Sequence, residues 1–316
     1  MLLSILLVGI SGIIAGGIIN MLADELPYRR NPALPVYLDG TPRKPIAWLG
    51  ITAFLFNRRT PTEEEQAATS EAYKIARQRG GFRWEDDEEV TQDFVGEPKL
   101  TWRYPLTEIV TALLMVAANI RMTVYIPETS ATQQIAWLIL TAILVLITII
   151  DLEHKLILFV VMIPSCVFAI LLSIFANNFY IPTLRGALIG AGLGFGIFFA
   201  LYLGGIIFTN VLGRIRGEEI SVVAFGFGDV MLITLAGLTL GFNLTVLAIF
   251  IAVFLGAFGA LAYMVFKFVA GERYRMYTAL PYGPYIVVAV LLLMYFPAEV
   301  QHAMLNYCAP SPPLVC

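Results

Sequence analysis

Charge is what this chain has least of. Only 14% of its 316 residues are Asp, Glu, Lys or Arg, against roughly 25% in an ordinary soluble protein. Apolar residues make up 59%, and the mean hydropathy is +0.79. Those values exclude a soluble domain with a single anchor and point to a chain that crosses a bilayer several times. Cysteine is scarce too. Cys166 lies in an apolar run, and Cys308 and Cys316 lie in a proline-rich tail. The only histidines are His154 and His302, so no zinc-ligand spacing exists and neither a metal nor a cofactor is expected. The net charge of −3 names no partner, and nucleic acid is not among those expected. Met1–Ala23 has no basic residue ahead of its apolar run, so it reads as a retained first span rather than a cleaved leader.

What the chain does have is long apolar runs, several reaching the roughly 20 residues that span hydrocarbon. The predicted spans run from Leu2 to about Ala23, Tyr104 to Arg121, Gln134 to Asp151, Leu156 to Ala176, Thr183 to Leu212, a sixth holding Asp229 and ending near Gly241, Leu244 to Phe266, and Pro281 to Phe296. The expected fold is therefore all-α, a polytopic membrane protein of about eight helices with one large cytoplasmic loop after the first. Four parts follow: residues 1–27 as the first helix, 28–103 as a small soluble module, 104–297 as a seven-helix membrane domain, and 298–316 as an irregular extracytoplasmic tail. Gly9, Gly12, Gly16 and Gly17 in the first span are small residues of the kind that let helices approach closely in lipid.

The segment Tyr28–Arg103 holds 12 of the 20 Lys and Arg residues, and also 12 acidic ones. Thr60-Pro61-Thr62-Glu63-Glu64-Glu65 reads as a helix start with acids in its first turn, the helix continuing to Arg79 and stopping at Gly80-Gly81. Glu85-Asp86-Asp87-Glu88-Glu89 is an acidic run, read as a solvated loop or as a docking surface for a basic peptide. Basic residues orient the chain. With the amino terminus outside, the large loop falls inside together with Lys155, Arg214, Arg216, Lys267, Arg273 and Arg275, and only Arg121 and Arg185 fall outside. Cys308 and Cys316 then lie on the outer side, where a disulfide is chemically possible.

Against that apolar background two aspartates stand out. Asp151 closes the third span. Asp229 follows Gly226-Phe227-Gly228 in the first half of the sixth, which starts near Ile220 or at Asp229 itself. Ionisable groups at membrane depth are costly and need a partner or a task. The predicted topology puts both at the cytoplasmic end. Two carboxyls at one depth can share a proton, and peptide hydrolysis uses such a pair: one draws a proton from water while the other protonates or polarises the carbonyl. Helix-end electrostatics favour Asp229 as base and Asp151 as acid, while Lys155 argues the other way. Gly226 and Gly228 lack Cβ atoms, which lets another backbone come close. Taken singly, Asp151 reads as a boundary residue beside Glu153, His154 and Lys155, and Asp229 as an ion-coupling residue of a transporter. That ion-coupled transporter, using Asp151 and Asp229, is the alternative reading.

At these residues the chain resembles the type IV prepilin peptidases, the leader-peptidase family of membrane aspartic proteases. Gly16-Gly17-Ile18-Ile19-Asn20 with Leu26-Pro27 is similar to that family's opening motif, and Arg103-Tyr104-Pro105-Leu106-Thr107-Glu108 to the motif after its cytoplasmic loop. Ile150-Asp151-Leu152-Glu153 and Gly226-Phe227-Gly228-Asp229-Val230 resemble the two segments that carry its catalytic aspartates. The resemblance implies a membrane endopeptidase of the plasma or inner membrane, cutting type IV prepilin or pseudopilin precursors after a glycine on the cytoplasmic side. It implies Asp151 and Asp229 as catalytic residues, Gly226 and Gly228 as their motif support, and Asn20 and Glu108 as substrate-binding residues. Many family members bind zinc through two Cys-x-x-Cys pairs in the first loop, and those members also methylate the new amino terminus with S-adenosylmethionine. Tyr28–Arg103 contains no cysteine, so zinc is not expected and methylation is in doubt. Two other departures are Glu25, where an arginine is usual, and Leu158-Phe159, where many members have Pro-Asp. The second leaves Asp151 as the sole aspartate of its segment.

Overall fold

The protein is described from a computed structural model, covering residues 2–28, 34–37, 41–68, 99–125, 129–175, 181–216, 226–269 and 281–305. The acidic run Glu85–Glu89, the expected helix end at Arg79, and Cys308 and Cys316 lie outside the described residues. Those residues are helical apart from turns and one isolated antiparallel bridge between Val36 and Pro42. Among them, five helices are long and apolar enough to cross a membrane, Leu2–Tyr28, Arg103–Tyr125, Ala131–His154, Leu184–Val211 and Phe227–Val269. Two shorter apolar helices are Phe159–Phe175 and Gly283–Tyr295. The chain is an all-α polytopic membrane protein. It divides into two compact units, Met1–Asn119 and Ile120–Cys316.

In the first unit, α1 (Leu2–Glu25) is apolar on every side, as a helix bathed in lipid should be. Leu3, Leu7, Ile10, Ile14 and Ile18 are exposed, whereas Gly12, Gly16, Asn20 and Ala23 are buried. The buried side meets the helix Arg103–Ile120. A Cβ placed at Gly12 or Gly16 would come within 2.5 Å of the Cα of Ala112 or Glu108. The spacing of four between the two glycines thus sets a close backbone crossing. The polar segment between these helices folds into a short helix α2 (Gly50–Leu55) and a helical turn α3 (63–68). Tyr37, Ala47, Ala53, Leu100 and Tyr104 form its small core. At α3, Thr62 and Glu65 cap each other's backbone amides, at 3.4 and 2.9 Å, the reciprocal box that the Thr-x-x-Glu spacing encodes. The helix Arg103–Ile120 is α4.

The second unit opens on a π-turn, Arg121–Tyr125. It continues through α5 (Ala131–His154), α6 (Phe159–Phe175), α7 (Leu184–Arg216), α8 (Phe227–Val269), α9 (Gly283–Tyr295) and α10 (Pro297–Leu305). The long helix α8 contains the sixth and seventh predicted spans, and Gly241 divides them with φ 74° and ψ −178°, a backbone state open in practice only to glycine. The chain bends sharply there. Tyr282 packs against Gly256 and also lies within electrostatic range of Asp229, yet a straight helix would hold Asp229 and Gly256 about 40 Å apart. Helix α7 crosses the first half of α8 glycine on glycine. A Cβ at Gly190 would meet the Gly241 carbonyl carbon at 2.6 Å, and one at Gly194 would meet the Ile233 carbonyl oxygen at 2.9 Å. The tail, expected to be irregular from residue 298, instead begins with α10. Proline suits a first helical position, where no amide donor is needed, and Arg121 pairs with Glu299 in its first turn.

Candidate active site

Helix α5 carries Asp151 on its buried stripe. Trp137, Leu140, Leu144, Ile147 and Asp151 recur at steps of three and four, so the packing that buries the apolar residues takes the carboxylate inward with them. Asp151 is 5% exposed. Its backbone carbonyl accepts the Lys155 amide at 2.9 Å, and Lys155, in the left-handed conformation at φ 53°, ends the helix. Asp151 Oδ2 accepts the backbone N–H of Gly283 at 3.0 Å.

Asp229 sits in the first turn of α8. Its amide donates to the Gly226 carbonyl at 3.1 Å, and its Oδ2 accepts the Gly226 amide at 3.1 Å. A carboxylate there meets the partial positive charge of the helix start. Gly228 abuts the connection between α5 and α6: a Cβ at that position would lie 2.6 Å from the Cβ of Ile157. Phe227 stacks on Phe159 with ring centroids 5.9 Å apart, and meets Tyr202 of α7 edge-on at 5.7 Å. These contacts dock the start of α8 beside the end of α5. Asp151 and Asp229 accordingly lie close enough for the charge of one to act on the other. Tyr282, the residue before α9, reaches the same place.

The expected substrate residues lie in the first unit and touch each other. Asn20 Nδ2 donates to the Tyr104 carbonyl at 3.0 Å and to Glu108 Oε1 at 3.5 Å. Glu108 is fully buried and accepts the amides of Gly50 at 2.5 Å and Ile51 at 2.8 Å. It therefore holds the start of α2. Beside it, Asp24 accepts from Arg103 at 2.5 Å and from the Tyr104 hydroxyl at 3.0 Å, with Arg43 at 3.7 Å. Among the described residues, no group of three or more His, Cys, Asp or Glu side chains stands where it could hold a metal. Reading the sequence alone misses Gly283, Tyr282 and Ile157. Pro281-Tyr282-Gly283-Pro284 is visible there only as a helix start.

Fold and site define a class: a multi-span helical membrane protein with two acidic side chains drawn together at one end of its bundle. Residues 138–261, which include both aspartates, match the model of the type IV leader peptidase family. It is 28% identical over 187 residues to a protein named prepilin leader peptidase/N-methyltransferase from Aeromonas salmonicida (strain A449), a match covering 59% of this chain and 56% of the relative. The protein of the same name from Aeromonas hydrophila is 27% identical over the same shares. The chain thus matches a little over half the length of these curated relatives. No solved structure matches it.

Proposed function

We propose that this chain is a membrane aspartic endopeptidase that removes the short basic leader from type IV prepilin or pseudopilin precursors at the cytoplasmic face of the cell's inner or plasma membrane. The observation that carries this reading is the approach of Asp151 and Asp229, which come from different helices and lie within range of each other's charge. In this reading the pair holds one proton between them. One carboxylate takes a proton from the attacking water, and the other polarises the scissile carbonyl and protonates the leaving nitrogen. Gly226 supports the pair through its amide, and Gly228 by leaving room for Ile157. Asn20 and Glu108 serve the substrate indirectly, by fixing the start of α2 in the first unit. Both termini are extracytoplasmic, in keeping with the distribution of Lys and Arg.

The relatives' printed name also includes N-methyltransferase. The first loop here has no cysteine, so peptide cleavage is the activity assigned. The transporter alternative draws no support from the family match. The test is incubation of the purified protein in detergent with a prepilin-like precursor, read by mass spectrometry. A mass loss equal to the leader is the expected result. Intact precursor, with folded enzyme at neutral pH, would sink the proposal.

A further inference from the structure

Among the described residues, Gly283 is the one outside the two aspartate segments whose backbone touches a candidate catalytic carboxylate. It is buried, and it opens α9 just after Tyr282. Its amide donates to Asp151 Oδ2 at 3.0 Å. A Cβ on it would stand 2.5 Å from that same oxygen and 3.1 Å from the carboxyl carbon. Both observations concern one atom: the backbone of residue 283 holds Oδ2, and only a residue without a side chain leaves Oδ2 where it is. The next residue, Pro284, has its φ fixed by its ring and stiffens the first turn of the helix that Gly283 opens. Tyr282 anchors the other side, its ring against Gly256 of α8 and 6.2 Å from Phe198 of α7.

We propose that Gly283 is a positioning residue for the aspartate pair, its N–H orienting the Asp151 carboxylate and its bare Cα leaving that carboxylate room to face Asp229. This rests on the reading of Asp151 and Asp229 as the catalytic pair. Because the first atom an added methyl would strike is the end of a side chain and not backbone, the fold tolerates the change and the carboxylate moves, by about 1 Å. Displacements of that size in a reacting group cost up to about 100-fold in rate.

The experiment compares wild type, Gly283→Ala, Asp151→Asn and Asp229→Asn as full-length proteins in detergent, measuring kcat and KM for precursor cleavage together with Tm. For Gly283→Ala the expected result is a kcat about 30- to 100-fold lower, with KM within about twofold and Tm nearly unchanged. An unchanged kcat, or a rise in KM alone, overturns the proposal. A loss that follows a fallen Tm, with normal kcat per folded molecule, also overturns it. Should Gly283→Ala not accumulate in folded form, Pro284→Ala takes its place: loosening the first turn that presents the Gly283 amide, without adding bulk, should lower kcat about threefold to tenfold at constant KM, and no change in kcat rejects the idea. If both Asp→Asn variants cleave normally, it is the peptidase reading itself that fails, whatever Gly283→Ala does.

Discussion

Glu108 and Asp151 are both buried carboxylates on helices able to cross a membrane, and their surroundings differ. Glu108, in the first unit, accepts two backbone amides and the Asn20 side chain and is fully buried. A carboxylate offers about four lone-pair sites, so most of its capacity is used. Asp151, in the second unit, accepts one amide among the described residues and lies near a second carboxylate. The first arrangement resembles a structural staple. The second leaves acceptor sites open in a place where charge is expensive, which is what a group with chemistry to perform requires.

The strongest way to break this contrast is to neutralise each acid in turn. Asp151→Asn and Asp229→Asn keep the shape and remove the proton that the pair is proposed to share. Each is expected to lower precursor cleavage by about 1,000-fold or more, since acid and base act as a unit, with little effect on Tm. Initial rates under saturating precursor check this, and cleavage within tenfold of wild type by either variant would erase the distinction from Glu108.

Glu108→Ala should do the opposite. It orphans the buried amide of Gly50, worth about 1–3 kcal/mol, and the half-buried amide of Ile51, worth about 1 kcal/mol, so the first unit is expected to lose about 2–4 kcal/mol. Unfolding in mixed micelles measures it. The remaining folded enzyme should show a raised KM and a kcat close to wild type, because the start of α2 is loosened and the aspartates are untouched. A kcat collapse with normal stability would make Glu108 chemical and Asp151 no longer special.

Much of this contrast is legible in the sequence, for reasons that are local. The glycines at 12 and 16 repeat every helical turn, so they announce a close crossing before any partner is known. Thr62 and Glu65 are three apart, and a capping box needs nothing beyond that spacing. Asp151 and Asp229 are conspicuous because their neighbours are apolar. What the sequence hides is what depends on distant partners. The bond from Gly283 to Asp151 joins residues 132 apart, and nothing near either one signals it. Glu108 reaches Gly50 across 58 residues. α10 escaped notice because Pro297 looks like a helix breaker until Arg121 supplies Glu299 with a partner.

Arg121 offers a sharper, smaller test in the second unit, at a site away from the aspartate pair. It is buried, donates to the Tyr295 carbonyl at 2.9 Å, pairs with Glu299, and lies over the rings of Tyr125 and Phe296. Its guanidinium satisfies a carbonyl at the end of α9. Arg121→Ala should cost about 2 kcal/mol and leave kcat and KM unchanged. A change in kcat would mean that the end of α9 is coupled to its beginning at Gly283.

The smallest effect belongs to the cap of α3 in the first unit. Glu65 bonds Lys44 at 2.7 Å and the Thr62 amide at 2.9 Å, and these contacts hold its carboxyl below the ordinary value of 4.5. A group depressed on folding contributes stability that is fully present above its unfolded value and is lost as pH falls through its folded one. The cap is therefore intact at neutral pH and weakens only below about pH 4.5. Thr62→Ala should cost about 1 kcal/mol of local stability, and Glu65→Gln should remove the acid-dependent part. Hydrogen exchange over residues 62–68 between pH 3 and 7 reads both. If wild type shows no loss of protection on acidification, or if Glu65→Gln still shows one, the carboxylate is not what holds this turn, and the acids of the first unit do less structural work than Glu108 suggests.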